Sequence, residues 1–227
     1  MRIVIAGGHG KVALRLTRLL AGRGDAVVGI VRDPGHAGDV RQAGGDAVVL
    51  DLERATVDEV AAVLVGADAA VFSAGSGKSA TAVRRDKVDR AAPVLVMDAA
   101  EQAGVRRFLH VSSINVGCAD NPDIGEGYAA YLRAKRAAEQ HIMARDGLGW
   151  TLLRPGVLTD EPGAGTVQLT AGHPAGSAVA RFDQVSRDDV AAVLVALLDR
   201  PDTAGRAYVL VGGETPIDQA LTSERFP

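Results

Sequence analysis

The chain has 227 residues, 47% of them hydrophobic but only 4% aromatic, so its core has to be built from Ala, Val and Leu, as suits helices packed on a parallel sheet. A net charge of -3 provides no basic field for nucleic acid or an anionic membrane, and neither is expected as a partner. No signal-like segment precedes the first strand, no apolar run reaches the ~18 residues of a membrane span, and the lone Cys118 excludes an internal disulfide; a cytoplasmic protein with a structural thiol is expected.

The first strand is expected at Arg2–Ala6. It runs into Gly7-Gly8-His9-Gly10-Lys11-Val12-Ala13 and then a helix over Lys11–Ala21 that carries Leu14, Leu16, Leu19 and Leu20. Gly7 allows the tight turn, Gly10 lets the backbone approach a pyrophosphate, and Ala13 lets the helix pack on the strand. N–H groups at the helix start, at Lys11 and Val12, face the phosphates, with His9 and Lys11 adding positive charge. A plain strand-to-helix turn is the alternative. The second strand, Ala26–Val31, ends in Arg32-Asp33. Arg32 can pair with a 2′-phosphate through two parallel hydrogen bonds and stack on adenine, which favours NADP; Asp33 keeps NAD open.

A helix over Gly35–Ala43, a strand over Ala47–Leu50 and a helix over Thr56–Val65 follow, with Asp51 and Leu52 placed beside the adenine. After a fourth strand, Ala69–Ser73, the turn Ala74-Gly75-Ser76-Gly77 can cover the cofactor backbone. A long helix over Thr81–Ala103 should be kinked by Pro93. The fifth strand, Arg107–Ser112, ends in Val111-Ser112-Ser113, where a hydroxyl can meet a substrate carbonyl. In the next helix, Gly127–Arg145, Tyr131 and Lys135 share a face. The ammonium should lower the phenol from its usual pKa of about 10, and Lys135 can also hold the nicotinamide ribose. A surface Tyr stacked on a Lys stem is the bland alternative. The sixth strand, Thr151–Arg154, leads into Gly156–Val185, an irregular stretch rich in Gly, Pro and Thr and expected to be a substrate lid, with His173 as a contact. A helix over Arg187–Asp199 and a strand over Tyr208–Val211 complete one α/β domain, 1–227, a Rossmann-type doubly wound parallel sheet of about seven strands.

These motifs resemble the short-chain dehydrogenase/reductase superfamily along nearly the whole chain: the glycine loop, the fifth-strand Ser, Tyr131-x-x-x-Lys135, and Arg154-Pro155-Gly156. The resemblance implies that Ser113 polarises the substrate oxygen, that Tyr131 is the acid/base and Lys135 its partner, and that Pro155, Gly156 and Val157 flank the nicotinamide. The fourth position of the family's tetrad, normally Asn, falls on Asp89, which cannot donate as an amide does when ionised. Asp89 is either an anchor for a water or the helix backbone, or an exposed helical residue. Together with the Gly-x-x-Gly-x-x-Gly/Ala loop and the short C-terminal region, it resembles the atypical NAD(P)-binding, epimerase/dehydratase-like branch. The function expected is an NADP(H)-binding oxidoreductase acting on a small carbonyl or alcohol. The alternatives are a sugar-type epimerase or dehydratase, for which the C-terminal region is short, and a non-catalytic NADP(H) sensor, against which the Tyr/Lys pair weighs. His9, His36, His110, His141 and His173 share no ligand spacing, so no metal is expected; oligomeric state is not readable.

Overall fold

A computed structural model describes residues 1–77, 79–172 and 182–223. In chain order the elements are β1 Arg2–Ala6, α1 Lys11–Gly22, β2 Ala26–Val31, α2 Ala37–Gln42, β3 Asp46–Val49, α3 Val57–Leu64, β4 Ala69–Phe72, α4 Ala82–Arg85, α5 Ala92–Gln102, β5 Arg107–Val111, α6 Glu126–Met143, β6 Gly149–Pro155, β7 Val157–Thr159, β8 Thr166–Ala171, β9 Gln184–Ser186, α7 Arg187–Leu198, β10 Arg206–Gly212, β11 Thr215–Pro216 and α8 Ile217–Ser223. All seven strands read from the sequence are present and parallel, in the order β3, β2, β1, β4, β5, β6, β10. The order reverses between β1 and β4, so a crevice opens there beyond the carboxyl ends of the strands.

Central strands are buried on both faces, as at β4 and β5. Leu16, Leu20, Val190 and Leu194 cover one face, from α1 and α7; Val60, Val96, Met97 and Ile142 cover the other, from α3, α5 and α6. Local caps start the helices where the sequence allows: Thr56 and Glu59 form a capping box on α3, and Ser186 caps α7.

Two expectations need correction. The segment 156–185 is not one irregular lid. β8 pairs antiparallel with β10 and β11 adds to it, giving nine strands in this sheet among the described residues, while β7 and β9 form a separate pair. Thr166–Ala171 alternates buried and exposed positions, the period-2 signature of a strand, which Gly, Pro and Thr around it obscured. His173 lies outside the described residues. The long helix is also not simply kinked at Pro93: between α4 and α5 the chain makes a π-helical turn over Asp86–Ala91. Pro93 has no N–H and its ring crowds the carbonyl four residues back, and the wider turn just before it accommodates both.

Among the described residues no helix is long and apolar enough to cross a membrane, and no three His, Cys, Asp or Glu side chains converge as metal ligands.

Candidate active site

The glycine loop packs more tightly than the sequence suggested. Gly7 has φ +82°, and its N–H and that of Gly8 both donate to the Ile30 carbonyl of β2. A Cβ on Gly7 would lie 2.7 Å from the Ala74 Cα, and one on Gly8 would lie 2.6 Å from the Gly29 Cα. Gly8, unassigned in the sequence, is thus what brings the loop against β2, and its signal was Gly29 on the facing strand. Gly10 caps α1 without a side-chain hydrogen bond, which leaves the first-turn N–H groups without a side-chain acceptor at Lys11 and Val12, two residues that line the crevice.

Two adjoining clefts meet at Gly10, Ser73, Ala74 and Gly75. The smaller, 250 Å³, is lined by His9, Arg32, His36, Asp51, Leu52, Glu53 and Arg84. Arg32 donates to Glu53 at 2.7 Å and Arg84 donates to the same oxygen at 3.3 Å, so two guanidinium groups converge on one carboxylate. His9 stacks on His36 with ring centroids 3.6 Å apart and pairs with Asp39. Asp51 accepts the Glu53 N–H. Asp33 accepts the Gly35 N–H and is thereby committed to the turn after β2. Glu53 and Arg84 carried no motif and were missed.

The larger cleft, 580 Å³, brings together Lys11, Val12, Ser76, Val111, Ser112, Ser113, Tyr131, Lys135, Pro155, Gly156 and Val157. Lys11 lies at its edge, paired with Asp160 at 2.6 Å. Ser113 lies beside the Tyr131 phenol and acts to lower its pKa. Ser112 Oγ is buried and has no hydrogen-bond partner among the described residues. Asn115, also missed, donates to the Tyr128 hydroxyl at 3.0 Å, and Tyr128 stacks on Tyr131.

Asp89 is fully buried, which overturns the exposed-helix alternative. It sits in the π-helical turn, accepts from the Ser76 hydroxyl and backbone N–H, and lies 3.9 Å from Lys135. Lys135 donates to the Val111 carbonyl at 3.0 Å. Burial pushes the Lys135 ammonium down, partly offset by Asp89 and Glu139. The phenol of Tyr131 departs from expectation: burial, and then the charge of Asp89, raise it above its ordinary value, against the smaller lowering effects of Ser113 and Arg85. Lys135 spends its charge on Asp89 and the strand, so it does not lower the phenol here. One turn further along α6, Glu139 takes a two-pronged pair from the buried Arg154 at 2.9 and 2.7 Å. His110 on β5 lies inside this cluster; burial, then Lys135 and Arg154, hold it neutral, well below the usual histidine value.

The cradle fits a dinucleotide. Side-chain-free backbone at Gly7 and Gly8, open N–H groups at the start of α1, and two clefts joined over the β4 turn match a pyrophosphate with an adenosine on one side and a second ring on the other.

Comparison with known proteins agrees. Residues 7–201 match the family model described as NAD(P)H-binding. The chain is 35% identical over 222 residues to the uncharacterized sugar epimerase YhfK of Bacillus subtilis, covering 97% of this chain and 99% of that protein. A Bacillus halodurans protein with the provisional name NAD-dependent epimerase/dehydratase superposes with a TM-score of 0.86 at 32% identity, over 98% of this chain and 99% of that one. The oxidoreductase ylbE of Lactococcus lactis gives 0.82 at 28% identity, over 99% and 96%.

Proposed function

The chain belongs to the NAD(P)H-binding family, and we propose that it is an NADP(H)-dependent oxidoreductase acting on a small carbonyl or alcohol. The observation that carries this is that Ser113, Tyr131 and Lys135 line one cleft that begins at the glycine loop, with Lys135 buried one helical turn beyond Tyr131. Gly7, Gly8, Gly10 and the first turn of α1 would hold the pyrophosphate, Arg32 and Arg84 a 2′-phosphate, and Lys135 the nicotinamide ribose, with Pro155–Val157 along the ring. The bound cofactor supplies hydride chemistry. Ser113 orients the substrate oxygen, and Tyr131 gives it a proton. A phenol raised by burial and Asp89 stays protonated at neutral pH, which suits a proton donor and hence the direction of carbonyl reduction.

NADPH oxidation followed over a panel of aldehydes and ketones tests this. Tyr131→Phe should lower turnover by about 10²-fold or more with NADPH affinity unchanged. Turnover unaffected by the substitution removes Tyr131 from the chemistry. The name of the Bacillus subtilis relative points to sugar epimerisation, which the same pair can serve. Interconversion of sugar epimers without net NADPH oxidation by any carbonyl would favour that activity over reduction.

A further inference from the structure

The larger cleft holds a second phenol beside the first. Tyr128 and Tyr131 stand three positions apart on α6, so both leave the same face of the helix, and both line the cleft. Their rings stack with centroids 6.0 Å apart and planes within 16° of parallel. Tyr128 is half-buried, and a ring already held by its neighbour has little freedom left to lose when a ligand arrives.

The role of its hydroxyl is set by Asn115. This residue is buried in the loop after β5, two positions beyond Ser113, and its backbone carbonyl accepts the Cys118 N–H at 2.8 Å in the short turn over Val116–Cys118. Its side-chain amide donates to the Tyr128 hydroxyl oxygen at 3.0 Å. A phenol whose oxygen is already accepting has its own hydrogen left to give, and no acceptor among the described residues takes it. Asn115 thereby fixes Tyr128 as a donor and leaves that donor for the cleft.

We propose that Tyr128, with Asn115 as its positioning residue, donates to a second oxygen of the substrate. The substrate class is then a small carbonyl compound carrying a hydroxy, alkoxy or oxo oxygen on the carbon next to the carbonyl or on the one after it. This rests on the reading in which Tyr131 faces the substrate carbonyl. Each phenol reaches an oxygen about 2.7 Å away, so two phenols at this ring spacing can lean towards two oxygens that are one or two carbons apart.

The test is binding to the protein saturated with NADP+ or NAD+, whichever it holds more tightly, so that no ketone is reduced during the measurement. Calorimetric titration compares 1-methoxy-2-propanone with 2-pentanone, and 4-methoxy-2-butanone with 2-hexanone. Within each pair an ether oxygen, which can only accept, replaces a methylene of similar size. A wholly apolar wall would favour the plain ketone. With Tyr128 as donor, at least one methoxy ketone should bind about tenfold more tightly than its plain partner. Tyr128→Phe keeps the stacked ring and should remove that preference, with dinucleotide affinity unchanged. Methoxy ketones that bind no better than plain ones, no binding by any of the four, or a preference that survives Tyr128→Phe overturn the assignment. NADPH oxidation measured in parallel separates this proposal from the reductase. A preference that depends on Tyr128 without reduction of any ketone sinks the reductase and leaves the donor; reduction of plain and methoxy ketones with no difference in binding does the reverse.

Discussion

Asp89 Oδ1 lies 3.9 Å from Lys135 Nζ, with both side chains closed off from solvent, so the charge behind the Tyr131 phenol is a buried pair and not a lone ammonium. That relationship inverts the simplest account of a Tyr-x-x-x-Lys helix. A lone Lys would draw the phenol down; a Lys already matched by a carboxylate cannot, and the carboxylate itself then pushes the phenol up.

Asp89→Asn should therefore act on two observables. Removing one member of a buried pair leaves Lys135 with the Val111 carbonyl and the charge of Glu139, and the cost should be about 3 kcal/mol in urea unfolding. The Tyr131 phenol should titrate at lower pH than in the native protein, because after burial Asp89 is the largest cause of its rise. Tyrosinate absorbance, with a Tyr131→Phe background as reference, reads this directly. A phenol whose titration does not move would show that burial alone sets it.

Why Asp89 was ambiguous in the sequence is physical. Its neighbours Lys87 and Arg90 read as a solvated helical face, and only the π-helical turn, forced by Pro93 a few residues on, places Asp89 among Val88 and Ser76. Periodicity of 3.6 cannot anticipate an inserted residue. The single parallel sheet of seven strands was legible because the strands alternate with helices as βαβ crossovers require, and the glycine loop because it follows β1 directly. Glu53 and Arg84 were not, since they come from different elements and meet only through the chain's fold. Glu139, one turn beyond Lys135 on α6, and its partner Arg154 on β6 were not legible as a pair either, for the same reason.

Arg32 and Arg84 lead to a prediction about cofactor choice. Glu53 occupies the place between the two guanidinium groups that a 2′-phosphate would contest. Arg32→Ala should weaken NADPH binding about 10- to 100-fold, the worth of a charge-assisted hydrogen bond, with NADH little affected. Glu53→Gln should strengthen NADPH binding by removing a competing charge. Fluorescence titration of both dinucleotides measures each effect. A ratio of NADPH to NADH affinity that neither Arg32→Ala nor Arg84→Ala changes would move selection elsewhere.

His110 predicts a dependence of stability on acid. Its folded value is held well below 6.5 by burial and by Lys135 and Arg154, so below pH 6.5 the unfolded chain takes up a proton that the folded chain refuses. Stability is then fully present above 6.5 and is lost as pH falls towards the folded value, by up to about 1.4 kcal/mol per pH unit. His110→Leu removes this group, and the loss of stability between pH 7.5 and 5.5 should shrink by more than about 1 kcal/mol. Chemical unfolding at the two pH values decides it; an equal loss in both proteins would assign acid sensitivity to other groups.

Gly8 and Gly38 separate backbone contact from backbone freedom. A methyl group on Gly8 would meet the Gly29 Cα at 2.6 Å and the Gly29 carbonyl carbon at 3.0 Å, and the space beside Gly29 is shared with Val40, whose Cγ1 lies 3.0 Å from a Cβ built there. Strand β2 is also pinned between β1 and β3, so neither backbone has room to retreat. Gly8→Ala should cost about 1–3 kcal/mol by overpacking, and by lifting the loop from β2 it should weaken dinucleotide binding as well. Gly38, inside α2, would place a methyl group in open space. Gly38→Ala should instead stabilise by about 0.4–1 kcal/mol, because it narrows the unfolded ensemble and suits a helix. Paired unfolding curves and NADPH titrations give the contrast. If Gly8→Ala matched the native protein in both, β2 would be yielding where its neighbours hold it, and close approach to Gly29 would not be what this glycine is for.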